Sequence, residues 1–168
     1  MKVILEKMDC KLSCFEELGS LEYFKQFNIY QNIHLSNKNS SILNIENTNP
    51  KIELCSTKII DTKITETIKG TSLEGQYLSG KNLIIVGNIN MSLILEYSSK
   101  TKKNKSFTKK DINNFNMPFS TFIVIPSDVC NIKTLNLRYL IEDITITKIT
   151  LNQILVSVTM IIQYLDEY

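Results

Sequence analysis

Met117-Pro-Phe-Ser-Thr-Phe-Ile-Val-Ile-Pro126 closes on a proline at one end and carries a second proline at the other. Between them lie Phe119, Phe122, Ile123, Val124 and Ile125, residues that favour a pleated, half-buried surface. Proline lacks a donor N–H and has a fixed φ, so it belongs at strand ends or on sheet edges. The run therefore predicts a β-strand near an edge, with Phe119, Phe122 and Val124, or their alternates, building the core.

Upstream, Lys81 to Tyr97 places Leu83, Ile85, Gly87, Ile89, Met91, Leu93, Leu95 and Tyr97 on one parity, with Asn88, Asn90, Ser92 and Glu96 on the other. That is the period of a strand with one buried face, and Gly87 at its middle suggests a bulge or bend. Between these strands, Ser98 to Lys110 holds six lysines and reads as a long solvated connection, or as charge protecting an edge. Downstream, Leu135, Leu137, Tyr139 and Ile141 alternate, then the parity switches to Ile144 and Ile146 across Glu142-Asp143, as a bulge would require. The last alternation runs Ile154, Val156, Val158, Met160, Ile162, Tyr164.

Towards the N-terminus, Phe27, Ile29, Gln31 and Ile33 predict a strand from Lys25, Ser36 to Asn49 reads as loop, and residues 51 to 68 read as a solvent-facing strand with a break near Asp61. Residues 1 to 24 lack a clear period and form a short N-terminal arm, with Phe15 to Phe24 compatible with a short helix or an irregular segment. Strands separated by polar turns, without helical patterning between them, predict an all-β, antiparallel sandwich or barrel-like domain over 25–168.

The chain of 168 residues is long enough to bury a core without disulfides or metal. It is 43% hydrophobic and 21% charged, with a net charge of +2 that invites neither nucleic acid nor an anionic membrane. Alanine and tryptophan are absent and Arg138 is the sole arginine, while Ile, Lys and Asn abound, a bias matching AT-rich codons. No apolar run is long enough for a membrane helix, and the N-terminus lacks a secretory-signal pattern, so synthesis and retention in a cytosol are expected. Cys10, Cys14, Cys55 and Cys130 form no C-x-x-C pair, which argues against a zinc ribbon. Buried thiols are the plain expectation; the sharper one is intermolecular crosslinking through Cys10 and Cys14.

No catalytic set emerges, and no enzyme, cofactor or metal is expected. Gly75-Gln-Tyr-Leu-Ser-Gly80-Lys81-Asn82 follows a phosphate-loop spacing, but Asn82 replaces the magnesium-binding hydroxyl and a strand follows where a helix is needed. His34 is the lone histidine. Glu16-Glu17 and Glu142-Asp143 are adjacent acids, which on a strand point to opposite faces and cannot serve one substrate. The lysine-rich segment has no arginine and only Phe107 for stacking, so a solvated loop outweighs a nucleic-acid site.

Lys25-Gln-Phe-Asn-Ile29, Ile60-Asp-Thr-Lys63 with Gly70 to Gly87, and Pro118 to Pro126, in that order and spacing, resemble the SPOCS domain of clostridial spore-coat-associated proteins. Tyr139-Leu-Ile-Glu-Asp143 and 154–163 continue the likeness, which spans about 25–163. The resemblance implies a structural protein of endospore formation, made in the mother-cell cytoplasm and built into the coat or exosporium. It brings no catalytic residues. Relatives carry a C-terminal LysM module, which is not expected here because the chain ends at Tyr168, so peptidoglycan binding does not carry over. The expected partners are the protein itself, as a homo-oligomer or array, and other spore-layer proteins. Val3, Ile4, Leu5, Cys10, Cys14, Phe15, Tyr23 and Phe24 of the arm are the candidate assembly residues. A glycan- or ligand-binding module using Tyr77, Tyr97 and the lysine loop is the alternative.

Overall fold

The computed structural model describes residues 4–7, 21–34, 41–47, 50–62, 71, 75–100, 106–130, 136–150 and 152–165. Among these residues there are eight strands: β1 (Ile4–Lys7), β2 (Tyr23–His34), β3 (Ser41–Asn47), β4 (Lys51–Asp61), β5 (Lys81–Lys100), β6 (Ser106–Val124), β7 (Asn136–Thr150) and β8 (Gln153–Leu165). They form two antiparallel sheets. One has the order β1-β7-β8-β2; in the other, β5 pairs with β6 on one side and with β3 and β4 on the other. Among the described residues no strand pairing joins the two sheets, so the fold is sandwich-like and not a closed barrel.

The core lies where alternation predicted. Leu83, Ile85, Ile89, Leu93 and Leu95 of β5 face Ile154, Val156, Val158, Met160 and Ile162 of β8, all with essentially no exposure. The parity switch at Glu142-Asp143 is a true bulge, since the β7–β8 register slips between Ile141 and Asp143.

Gly87 differs from the expectation. β5 runs through it without a slip against β6, and the bulge sits on the neighbouring strand, where Cys55 is the extra residue between Leu54 and Ser56. The physical need is space: a Cβ on Gly87 would lie 2.7 Å from Phe119 Cζ and 2.8 Å from the Glu53 carbonyl oxygen. The Phe119 ring occupies that room and tilts against Phe27 of the opposite sheet, with centroids 5.7 Å apart.

Three further expectations change. Ser41–Asn47, read as loop from its Asn and Ser content, is strand β3, because Ile45 packs on the core opposite Leu95 and pairing with β5 overrides local composition. The lysine-rich segment is partly strand: β5 continues to Lys100 and β6 begins at Ser106, with Glu96 opposite Lys110 and Tyr97 opposite Lys109. Phe122 is outward, because Phe119, Ile123 and Ile125 hold the core parity of β6; Val124 is buried.

Pro118 is inside β6, an edge strand. The Ile125 N–H donates to the Lys81 carbonyl at 3.2 Å, and the register holds from Val124 back past Pro118, so even-numbered β6 residues turn their backbone groups away from β5. The proline ring thus stands where an unpaired N–H would face outward.

Candidate functional site

The margins of the two sheets are the candidate site, because unpaired backbone is what a sandwich offers to a partner. The β2 and β6 margins carry blocking devices, Pro118 on β6 being one. On β2, Lys25 and Gln31 occupy inward parity, opposite Ile162 and Val156, and an inward polar side chain on an edge strand penalises continued pairing. Lys25 extends its ammonium to within 5.5 Å of the Phe122 ring centroid on β6, a cation–π contact across the gap between the sheets.

Gln76 provides a more specific device. Its Nε2 donates to the Phe24 carbonyl at 2.7 Å and its Oε1 accepts from the Phe24 N–H at 3.1 Å, so one side-chain amide imitates a neighbouring strand. Gln76 is buried, and Gly75 before it has φ of +79°, a left-handed angle that glycine adopts without strain. Tyr23, Gln76, Tyr77, Ser79, Pro126 and Asp128 border an adjoining cleft of about 520 Å³. Sequence reading assigned this stretch to a turn and missed the clamp; a lone Gln following a Gly in a turn is too common a signal to find it.

The arm residues separate into groups. Val3, Cys10, Cys14 and Phe15 lie outside the described residues. Ile4 and Leu5 are in β1, which pairs within the chain, Ile4 opposite Ile141 and Leu5 opposite Leu140. Tyr23 and Phe24 belong to β2 and not to a separate arm. Tyr23 meets Tyr164 edge-on at 6.2 Å, and Phe24 packs with Leu21 on Leu140 and Ile161 on the outer face of the sheet. Cys55 and Cys130 are exposed free thiols, contrary to the expectation of buried cysteines.

Of the alternative ligand-site residues, Lys102, Lys103 and Lys105 lie outside the described residues. Tyr77 is exposed, but Tyr97 is buried in the core. Burial, and then the Asp111 carboxylate, raise the Tyr97 pKa, against the opposing effects of an Asn113 hydrogen bond and Lys109. Lys109 pairs with Asp111 at 2.8 Å. Tyr139 is also buried, and desolvation raises its pKa strongly.

A polar ladder crosses the outer face of the β5 sheet. Asn116 donates to Asn90 at 2.9 Å, Asn90 donates to Glu53 at 3.1 Å, and Ser92 donates to Asn114 at 2.6 Å. These side chains satisfy one another. Among the described residues no three metal-ligating side chains converge, and no helix is long and apolar enough to cross a membrane.

Of the exposed large apolar side chains, Val86 lies on the central strand β5 and Tyr77 in the segment before it, and the others lie on marginal strands. Tyr30 on β2 (74% exposed), Ile112 and Phe122 on β6 (69% and 44%) and Ile149 on β7 (51%) all belong to strands with a free side. No protein-family model, curated protein or solved structure matches the chain.

Proposed function

We propose that this chain is a non-catalytic structural subunit of a clostridial spore layer, coat or exosporium, acting by self-association or by docking to other spore-layer proteins. The observation that supports it is the exposure of the large apolar side chains of Tyr30, Ile112, Phe122 and Ile149 on strands at the sheet margins, apolar surface that a partner would cover. The likeness of residues 25–163 to the SPOCS domain supplies the spore context. Synthesis in the mother cell belongs to the same reading.

Size-exclusion chromatography with light scattering over a wide concentration range, with and without reductant, tests this proposal. Concentration-dependent growth beyond the monomer is expected. A strict monomer that also recovers no spore-layer protein, and instead binds peptidoglycan or a polyanion in a pulldown, would refute it.

A further inference from the structure

We infer that the cleft beside Gln76 receives the lysine-rich connection between β5 and β6 of a second copy of this chain, joining copies head to tail. The inference rests on the proposed self-association and specifies its contact. Tyr23, Tyr77 and Pro126 border the cleft of about 520 Å³, together with the exposed acids Glu22 and Asp128. Among the described residues neither carboxylate has a hydrogen bond or an ion pair. The Lys81 ammonium, on the strand that starts nearby, is held by the Val129 carbonyl at 3.1 Å and the Cys130 sulfur at 3.8 Å. Aromatic rings beside acids suit an ammonium on an aliphatic stem, since the rings attract the charge and cover the methylenes while the carboxylates pair with it.

Charge selects the occupant. Ser98 to Lys110 holds six lysines and no acid. Lys109 pairs with Asp111 in its own chain and Lys110 lies opposite Glu96, but the register sets Lys100 against Ser106, and Lys102, Lys103 and Lys105 follow it in sequence. These four positions are the chain's densest run of positive charge without a facing acid.

Topology excludes the chain's own lysines. Ser79 and Pro126, at the cleft, flank the end of the sheet where Asn82 of β5 pairs with Val124, whereas the lysines join its other end, where Lys100 pairs with Ser106. β5 is 20 residues long, about 60 Å at the rise of a strand. The connection from Lys100 to Ser106 reaches at most about 20 Å, so it cannot return to its own cleft. The two surfaces differ and stand at opposite ends of β5, which makes the contact heterologous. Each added copy presents a new cleft at one end and new lysines at the other, and an open array grows.

Sedimentation velocity with reductant present tests this, because no thiol crosslink then contributes. The parent is expected to grow past a dimer with concentration, and to associate about tenfold more weakly at about 1 M salt, where the screening length falls to about 3 Å. One variant neutralises the cleft with Glu22→Gln, Asp128→Asn and Tyr77→Ser; another neutralises the connection with Lys102→Gln, Lys103→Gln and Lys105→Gln. Each alone should associate about tenfold more weakly than the parent. Mixed in equal amounts, they should pair again but stop at a dimer of one of each, since one intact cleft meets one intact lysine segment and the two remaining ends are neutralised. Far-UV circular dichroism confirms that each variant folds. If the parent associates but stops at a dimer, or neither variant weakens it, or the mixture fails to pair or grows like the parent, the cleft contact is overturned and the proposed function survives. A parent that stays monomeric at every concentration overturns the inference together with the self-association in the proposed function.

Discussion

Substituting Gly87 by alanine tests the account of how β5 meets its neighbours. The added Cβ would sit 2.7 and 2.9 Å from two ring atoms of Phe119 and 2.8 Å from the Glu53 carbonyl oxygen, all inside the contact distance of real Cβ atoms. The ring can shift, but it is wedged against Phe27; the carbonyl belongs to β4 backbone beside the Cys55 bulge and is harder to move. Overpacking of this kind costs about 1–3 kcal/mol, and reduced freedom of the unfolded chain offsets about 0.4–1 kcal/mol. The net loss should be about 1–2 kcal/mol, or roughly 3–6 °C in Tm for a chain of this size. Urea unfolding followed by circular dichroism measures it, since there is no tryptophan to report by fluorescence. Adding Phe119→Leu, which removes the clashing ring atoms, should make the double variant about 1 kcal/mol more stable than the sum of the single effects predicts. A Gly87→Ala chain as stable as the parent, or a strictly additive pair, would refute the reasoning.

Gln76→Ala leaves the Phe24 N–H and C=O without their clamp and should lower stability by about 1–3 kcal/mol, read from the urea midpoint. Pro118→Val restores an outward N–H on the β6 edge; folding stability should change by no more than about 0.5 kcal/mol, while light scattering shows faster aggregation. Alkaline stability should report Tyr139. Burial raises its pKa in the folded state, so both states hold the proton below about pH 10; above that the unfolded phenol ionises first and stability falls by up to about 1.4 kcal/mol per pH unit. Equilibrium unfolding of Tyr139→Phe between pH 9 and 11.5 should show a correspondingly shallower decline than the parent.

Where one face is buried against a partner sheet, the sequence reveals it. Leu83 to Tyr97 and Ile154 to Tyr164 show their period because every second residue enters the core, and the Glu142-Asp143 parity change appears because a bulge shifts that period by one. β3 was hidden because its existence depends on pairing with β5, which lies far along the chain, and its Asn and Ser content reports only local preference. Phe122 was misassigned because an apolar run has no internal parity; only the pairing of Leu83 with Ile123 fixes which residues turn in. At the margins, Pro118 was legible as an edge residue through its missing donor. The Gln76 clamp and the inward Lys25 were not, since both depend on which strand ends at a free side.

Strand β5 is 20 residues long, and the side opposite β6 is served by two separate pieces. β3 pairs as far as Asn47 with Leu93, β4 resumes at Lys51 with Asn90, and Met91 and Ser92 meet neither. Because β3 and β4 share no pairing, releasing one does not require releasing the other. The shorter β3 can detach alone, exposing the amides of Ile94 and Glu96 to hydrogen exchange, while those of Ile84 and Val86 stay protected under β4. One continuous strand thus spans two regions that breathe on different timescales, with the joint at Met91 and Ser92.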